Sequence, residues 1–338
     1  MSHPITDITI IGAGPTGLFA SFYAGMRGVS ARLVDALPQV GGQLMALYPE
    51  KFIFDVAGYP EVLAKDLVAN LDRQARRWDT PRFLGQKVVG LDRLDDHFVL
   101  RTETDAFPTR AIIIAAGIGA FSPRRLPQAA AEPWYGRGVH DVVLDPSQFH
   151  GKKVLIIGGG DTAFDWTDQL AGKAAHVTLA HRTDRFRAHG ATVDSVMAHA
   201  SAGRVTVHTW HELKELHDAD GTLTGVTLVH TKSKTPVAVE CDAVLPMLGF
   251  VSDMGAINTW GLNIQNDEIH VNSQMETGVP GIYAAGDVTT YPGKLKLIAT
   301  GFSEAAAAVN QAVHWVYPDK KVSPGHSSNL AVFGQKDD

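Results

Sequence analysis

The chain has 338 residues, of which 45% are hydrophobic, and it carries a formal net charge of -6 at pH 7. These values are typical of an ordinary folded protein with two domains that each bury a core, and they exclude disordered and fibrous classes. The mild negative charge argues against general binding to nucleic acid or anionic membranes, and no apolar run reaches the ~18 residues of a membrane span.

The N-terminal sequence predicts no targeting segment. Met1-Ser-His-Pro4 leads almost directly into an apolar run, without the basic start and separate apolar stretch of a secretory signal. We therefore expect a cytoplasmic protein.

The first predicted unit is a strand at residues 8–11, a helix from about 16 to 27 and a second strand, Ala31–Val34. The turn after the first strand is Gly12-Ala-Gly14-Pro-Thr-Gly17, which fits the G-x-G-x-x-G motif of dinucleotide sites. Gly12 allows a tight turn, Gly14 a close approach to a pyrophosphate, and Gly17 close packing of helix on strand. Asp35 follows the second strand, where an acid accepts hydrogen bonds from a ribose diol.

A double glycine, Gly41-Gly42, follows this unit and precedes Gln43. Paired glycines allow the backbone to lie close against a bound ligand. The alternative is a flexible surface loop.

A second unit repeats the pattern, with the strand Lys153–Ile157, a helix ending near Leu170 and a strand at 176–180. Its glycine turn is Gly158-Gly-Gly160-Asp161-Thr162-Ala163, with alanine in the third position of the motif. We expect this turn to bind a second dinucleotide.

The residues after the second unit indicate which nicotinamide cofactor binds there. An NADH site would carry an acid after the second strand. This chain instead has His181 and Arg182 there, with Arg187 five residues later. Arginine pairs with a phosphate through two parallel hydrogen bonds, so the pattern predicts NADPH. A solvated basic loop is the alternative.

Two similar apolar segments, 111–117 and 281–287, both contain Ala-Ala-Gly, and they lie on either side of the second unit. This order predicts an α/β fold with two Rossmann-like domains, the second inserted into the first. We place the first domain at 1–121 and 248–338, with a tail from about 317, and the second at 122–247. The chain would pass between the domains twice, near 121 and near 248, and two short connections would let the domains rotate against each other.

The only cysteine, Cys241, lies in Val239-Glu-Cys-Asp-Ala-Val-Leu245, which is typical of a strand. No C-x-x-C occurs, and a single cysteine forms no intramolecular disulfide. We expect a buried structural thiol. The 15 histidines are scattered without metal-ligand spacing, so we predict no metal site.

The two inserted nucleotide units, together with segment 281–287, resemble the two-dinucleotide-binding-domain flavoproteins, and segment 181–188 resembles the thioredoxin-reductase branch. The C-x-x-C of that branch is absent, so disulfide reduction by thiol exchange is excluded. The chain is most similar to the thioredoxin-reductase-like ferredoxin–NADP(+) reductases. Four segments carry this resemblance: Leu47-Tyr-Pro-Glu-Lys51 with Asp55-Val-Ala-Gly-Tyr-Pro60, Gly119-Ala-Phe-Ser-Pro-Arg-Arg125, Tyr291-Pro-Gly-Lys-Leu-Lys-Leu-Ile298, and Pro324-Gly-His-Ser-Ser328.

The resemblance implies a homodimer with FAD in the first domain and NADPH in the second. It implies that Tyr48 lies on one flavin face and that the tail residues His326, Ser327 and Ser328 cover the other face in the partner subunit. From its composition alone, the tail would be disordered. The resemblance also assigns FAD contacts to Thr16 at the pyrophosphate, Gln43 and Phe121 near the flavin, Val88 in the third strand at the adenine, and Asp287 at the ribityl or phosphate part.

The implied function is electron transfer between NADPH and ferredoxin through the flavin. Ferredoxins are generally acidic, so docking on a chain of net charge -6 needs a local basic patch. The candidates are Lys51, Arg124, Arg125, Lys294 and Lys296. The alternatives are an NADPH reductase of flavodoxin, quinone or another small acceptor, and a non-catalytic redox sensor.

Overall fold

The structure is a computed structural model that describes residues 3–117, 119–141, 143, 145–323, 325–329 and 333, with side chains described except at 120–122, 250–253 and 329. The chain divides into two compact units. The first comprises Met1–Ala120 and Ser252–Asp338, and the second is Phe121–Val251. The mixed α/β fold class is confirmed.

The N-terminal part of the first unit alternates strands and helices and then ends in three consecutive strands. In chain order its elements are β1 (Thr6–Ile11), α1 (Pro15–Met26), β2 (Ala31–Val34), α2 (Gln43–Leu47), β3 (Phe52–Ile53), β4 (Val62–Leu63), α3 (Ala64–Ala75), β5 (Arg82–Phe83), β6 (Val88–Arg93), β7 (Phe98–Thr102) and β8 (Ala106–Ile114).

The second unit combines a βαβ segment with a three-stranded hairpin sheet. Its elements are β9 (Ala120–Pro123), two 3₁₀ helices (Ala129–Trp134 and Pro146–Phe149), β10 (Lys153–Ile157), α4 (Asp161–Leu170), β11 (His176–His181), α5 (Gly190–Ser201), β12 (Val205–Thr209), β13 (His211–Ala219), β14 (Thr222–His230), β15 (Pro236–Glu240), β16 (Ala243–Pro246) and β17 (Phe250–Asp253).

The chain then returns to the first unit, where it forms short strands and a 19-residue helix. The elements are a 3₁₀ helix (Gly255–Thr259), β18 (Ile264–Gln265), β19 (Glu268–His270), β20 (Ile282–Ala284), β21 (Thr289–Thr290), α6 (Ile298–Val316) and a last 3₁₀ turn (Ser327–Asn329).

The main sheet of the first unit has the strand order β5-β2-β1-β8-β7-β6, and β20 also pairs with β8. Strands β1, β2, β5, β8 and β20 are parallel neighbours, with Ile282 opposite Ile112. Ile8, Ile10 and the run 112–114 are fully buried, because a parallel sheet covered on both faces needs apolar residues throughout. The return of segment 281–287 to the first sheet is therefore confirmed.

The second unit holds the parallel sheet β12-β11-β10-β16 and the antiparallel sheet β13-β14-β15. Cys241 lies between β15 and β16, in the turn where the chain passes from one sheet to the other. The prediction of one continuous strand there was wrong, because the chain changes sheets at this point. The prediction of a buried thiol is confirmed, since Cys241 is 1% exposed.

Within the described part of the chain, every helix falls short of the length and apolar character that crossing a bilayer demands.

Candidate functional site

The turn between β1 and α1 has no room for side chains at its first and last glycines. A β-carbon added at Gly12 would lie 2.3 Å from the carbonyl oxygen of Ala115, and one at Gly17 would lie 1.8 Å from the carbonyl oxygen of Gly12. Gly12 also has a φ of 110°, which disfavours other residues. The glycines therefore bring β1, α1 and the end of β8 into direct backbone contact, as the motif predicts.

Asp35 follows β2 and is 8% exposed. Its two carboxylate oxygens accept hydrogen bonds from the backbone N–H groups of Ala13 and Leu37. Burial raises the pKa of Asp35, and these two hydrogen bonds partly offset that rise. Because a carboxylate accepts about four hydrogen bonds, two positions are left for a ribose diol.

The backbone at Gly42 lies directly against Gly14. A β-carbon at Gly42 would lie 3.0 Å from the Cα atom of Gly14, and Gly42 has a φ of 54°. The N–H of Gly41 donates to the carbonyl oxygen of Ala13 at 2.8 Å. The double-glycine loop is thus tied to the first turn, and bare backbone from both sides lines the position of a dinucleotide.

Tyr48 and Asp287 lie near each other although they are far apart in the chain. Burial raises the pKa of Tyr48, and the charge of Asp287 raises it further. Thr16 lies against Gly286, the residue before Asp287, and against Gly301. Added β-carbons at these two glycines would lie 2.9 and 2.4 Å from the Thr16 hydroxyl oxygen. The structure therefore brings Tyr48, Asp287 and Thr16 to the same turn region of the first unit.

A buried charge network beside Asp287 was not predicted from the sequence. The Glu304 side chain is 3% exposed, and it forms a 2.5 Å ion pair with Lys294, which is 5% exposed. Glu304 also accepts hydrogen bonds from the Gly286 N–H at 2.7 Å and the Tyr291 hydroxyl at 2.6 Å. Burial and the bond to Glu304 raise the pKa of Tyr291 to about 12. The network fixes the turn that carries Asp287.

The resemblance assigned Gln43 to the flavin and Val88 to the adenine. The Gln43 side chain lies against Gly117: a β-carbon added at Gly117 would be 2.9 Å from the amide nitrogen of the Gln43 side chain.

Val88 begins the antiparallel strand β6, so the expectation that it lies in the third strand was wrong: the third parallel strand is β5. The intervening segment still passes Asp35, because the Gln86 N–H donates to its carbonyl oxygen at 2.8 Å.

Two other predicted contact regions are only partly described. Phe121 belongs to β9, but its side chain lies outside the described residues. In the tail, Pro324 also lies outside them, whereas His326, Ser327 and Ser328 are exposed. The start of the tail is held by Arg27, whose guanidinium donates to the carbonyl oxygens of Lys321 at 2.6 Å and Val322 at 2.7 Å.

The second glycine turn joins β10 to α4 and repeats the close contacts of the first. A β-carbon at Gly158 would lie 2.3 Å from the Met247 carbonyl oxygen and 2.8 Å from the methyl carbon of Ala163. One at Gly160 would meet nothing within 4 Å. The turn is therefore packed on its sheet side and open at the start of α4, where free N–H groups attract a phosphate.

Two polar residues follow at the start of α4. The Asp161 carboxylate accepts a hydrogen bond from the His189 N–H at 2.9 Å, and Thr162 is half-buried. Asp161 thereby ties the turn to the segment that carries the predicted basic residues.

The three basic residues after β11 differ in their surroundings. The His181 ring packs against Gly159 and lies 3.0 Å from the Thr183 hydroxyl. Burial lowers the pKa of His181, the hydrogen bond to Arg185 opposes this, and the charges of Arg182 and Arg187 lower it further. Arg182 and Arg187 are exposed, and neither guanidinium has a partner among the described residues. The guanidinium groups of Arg182 and Arg187 are thus open to solvent, whereas the His181 ring lies against the turn.

The structure divides the five basic docking candidates. Lys294 is buried against Glu304, so it was a wrong candidate for a surface patch. Lys296 pairs with Glu268 at 2.5 Å, and Arg125 pairs with Glu132 and with Asp141. Lys51 and Arg124 are exposed. Searched over the described residues, the chain has no group of three His, Cys, Asp or Glu side chains that could hold a metal.

The two glycine turns, each between a buried parallel strand and a helix, define a class of two-domain dinucleotide-binding oxidoreductases. The chain belongs to the pyridine nucleotide-disulphide oxidoreductase family, whose model matches residues 6–312.

Relatives of similar length match the whole chain. A protein of Thermus thermophilus named ferredoxin--NADP reductase is 46% identical over 99% of this chain and 100% of its own length. A protein of the same name from Halalkalibacterium halodurans is 47% identical over 96% of this chain and 97% of its own.

Solved structures of similar fold include thioredoxin reductases. The Lactococcus lactis enzyme has a TM-score of 0.73 at 25% identity, over 92% of this chain and 99% of its own. The T. acidophilum enzyme has a TM-score of 0.75 at 23% identity, over 92% of this chain and 98% of its own, and supports the fold alone.

Proposed function

We propose that this chain is an FAD-dependent oxidoreductase that passes electrons between NADPH and ferredoxin. The observation that carries the proposal is the pair of dinucleotide sites with opposite charges at the ribose end. The first site has the buried carboxylate of Asp35, and the second has the exposed guanidinium groups of Arg182 and Arg187. The names of the full-length relatives support ferredoxin as the electron partner.

The first unit fits FAD by its backbone and its one buried acid. The N–H groups at the start of α1 would receive the pyrophosphate, Gly14 and Gly42 would present bare backbone beside it, and Asp35 would accept hydrogen bonds from the adenosine ribose. Thr16 and Asp287 hold the ribityl and phosphate part, and Val88 lies toward the adenine.

Gln43 and Tyr48 of this unit would border the flavin ring, and the family resemblance adds Phe121 to that set. Bound FAD supplies the chemistry, since it accepts a hydride as two electrons and gives up electrons one at a time. The chain contributes position and charge, and it needs no acid–base pair for the hydride step.

The second unit fits NADPH. Gly158, Gly160 and the start of α4, at Asp161, Thr162 and Ala163, receive its pyrophosphate. Arg182 and Arg187 pair with its 2′-phosphate. The His181 ring lies beside these arginines, against Gly159, and burial lowers its pKa.

The working form is a cytoplasmic homodimer in which residues 326–328 of one subunit cover the flavin of the other. The family resemblance supports this arrangement. Lys51 in the first unit and Arg124 in the second are exposed and remain candidates for contact with an acidic ferredoxin, whereas Lys294 is buried.

The experiment is NADPH turnover with purified ferredoxin, flavodoxin, quinone and thioredoxin offered separately at matched concentrations. We expect the highest kcat/KM with ferredoxin and no reduction of thioredoxin, because the chain has no cysteine pair. A higher kcat/KM with quinone or flavodoxin would show that this molecule, and not ferredoxin, is the preferred acceptor. Binding of NADPH without turnover of any acceptor would indicate a redox sensor.

A further inference from the structure

The residue Trp210 stands beside Arg182 at the edge of the parallel sheet of the second unit. Strand β11 ends at His181 and β12 ends at Thr209, and these two residues are register partners. The residues that follow them, Arg182 and Trp210, therefore leave the sheet side by side at its carboxyl edge. Dinucleotides bind at this edge of parallel sheets.

Trp210 is held in an unfavourable backbone conformation. Its φ is 62°, in the left-handed region, which is a genuine outlier for a bulky residue. Such strain is retained mainly at functional positions, where the surroundings impose it. Here the Trp210 carbonyl oxygen accepts a hydrogen bond from the Thr231 N–H at 2.6 Å, and the Thr231 hydroxyl lies 3.5 Å from the Arg182 carbonyl oxygen.

Lys232 lies over the exposed side of this arrangement. Its ammonium group is 3.3 Å from the centroid of the Trp210 ring, well within the range of a cation–π interaction. Lys232 is exposed, and in the part of the chain that the structure describes its ammonium group forms no ion pair. The indole thus holds a positive charge in place beside Arg182 without neutralising it.

The hairpin turn that carries Lys232 does not need this contact in order to close. The His230 N–H donates to the Thr235 carbonyl oxygen and the Lys234 N–H to the His230 carbonyl oxygen, each at 2.9 Å. The Ser233 N–H donates to the His230 ring at 3.1 Å. These hydrogen bonds close the turn without the contact between Lys232 and Trp210.

We propose that Trp210 and Lys232 complete the adenosine end of the NADPH site, with Lys232 as a third positive contact to the 2′-phosphate beside Arg182 and Arg187. Trp210 is a positioning residue that holds Lys232 and borders the adenine. This inference rests on the proposed function, since it assigns NADPH to the second unit. It adds two residues that the motif after β11 does not contain.

The test is calorimetric binding of 2′,5′-ADP and 5′-ADP to the full-length, FAD-loaded protein. Lys232→Gln should raise the Kd for 2′,5′-ADP by about 3- to 10-fold and leave that for 5′-ADP within about twofold, because only the former carries the 2′-phosphate. The matched control is Lys173→Gln. That exposed lysine precedes β11, at the opposite edge of the same sheet, and its loss should leave both Kd values unchanged.

A second readout follows Trp210 directly. Trp210→Phe should remove most of the change in tryptophan fluorescence that 2′,5′-ADP causes in the wild-type protein. Trp210→Gly, which relaxes the backbone, should weaken 2′,5′-ADP binding as Lys232→Gln does. A change in thermal stability with both Kd values intact would overturn the proposal in favour of a hairpin contact.

The outcomes separate this inference from the function on which it rests. Wild-type protein that prefers 2′,5′-ADP, together with a Lys232→Gln variant that keeps the preference unchanged, would overturn the inference alone. Wild-type protein that binds the two ligands equally would contradict NADPH as the second cofactor and remove the inference with it.

Discussion

At the scale of single residues, we propose that Arg182 and Arg187 select NADPH over NADH. Both are exposed, and each would form charge-assisted contacts with a 2′-phosphate worth roughly 1.5–3 kcal/mol. We expect the double substitution to Ala to raise the KM for NADPH at least about tenfold while the KM for NADH changes little. Steady-state kinetics with both cofactors measures this, and equal losses with NADPH and NADH would show that the arginines do not recognise the phosphate.

Cys241 illustrates a residue without a role in the chemistry. It is 1% exposed, and burial, with a smaller effect from the charge of Asp242, raises its pKa to about 12. Because the thiolate is the reactive form, the native protein should not react with a thiol reagent at pH 8, whereas the unfolded protein should react once per chain. Cys241→Ala should retain ferredoxin-dependent turnover; its loss with FAD still bound would contradict the structural role.

At the scale of elements, the ion pair between Lys294 and Glu304 joins α6 to the turn that carries Asp287. Glu304→Gln leaves a buried ammonium group unpaired, so we expect the free energy of unfolding to fall by about 3–5 kcal/mol. The matched control is Lys296→Met, which breaks the exposed pair with Glu268 and should cost at most about 1 kcal/mol. Urea denaturation measures the free energy of unfolding of both variants. A loss in Glu304→Gln no larger than the loss in Lys296→Met would show that the buried pair does not stabilise the fold.

The strands and glycine turns of both units could be predicted from the sequence, because buried parallel strands are apolar throughout and the turns need glycine. The start of α6 could not. The helix begins at Ile298 although Thr300 and Gly301 are weak helix formers, because tertiary packing sets its first turn. Gly301 is required there by the Thr16 side chain that lies against it.

Some site residues could be predicted from the sequence, and others could not. Asp35 and the two arginines are recognisable by their position after a strand, a local pattern. Glu304 and Lys294 are not, since a buried acid on a helix looks like a solvated one until its partner folds against it. Similarly, nothing in the sequence separates His181, which faces inward, from Arg182, which faces solvent.

At the scale of the whole molecule, the tail tests the proposed dimer. Truncation after Val322 keeps both carbonyl oxygens that Arg27 holds but removes residues 326–328. We expect FAD to stay bound, because Asp35 and the glycine turns are unchanged, while hydride-transfer rates change and the reduced enzyme reacts faster with oxygen. Stopped-flow kinetics on the full and truncated chains measures both rates, and identical rates would show that the tail does not cover the flavin.

We propose that one chain holds FAD in its first unit and takes electrons from NADPH in its second. The most direct measurement is anaerobic stopped-flow mixing of the purified protein with NADPH or NADH, followed at the flavin absorbance. We expect one FAD per chain, rapid loss of flavin absorbance with NADPH and much slower loss with NADH. A colourless protein that takes up no added FAD, or a flavin that NADPH does not reduce, would contradict it.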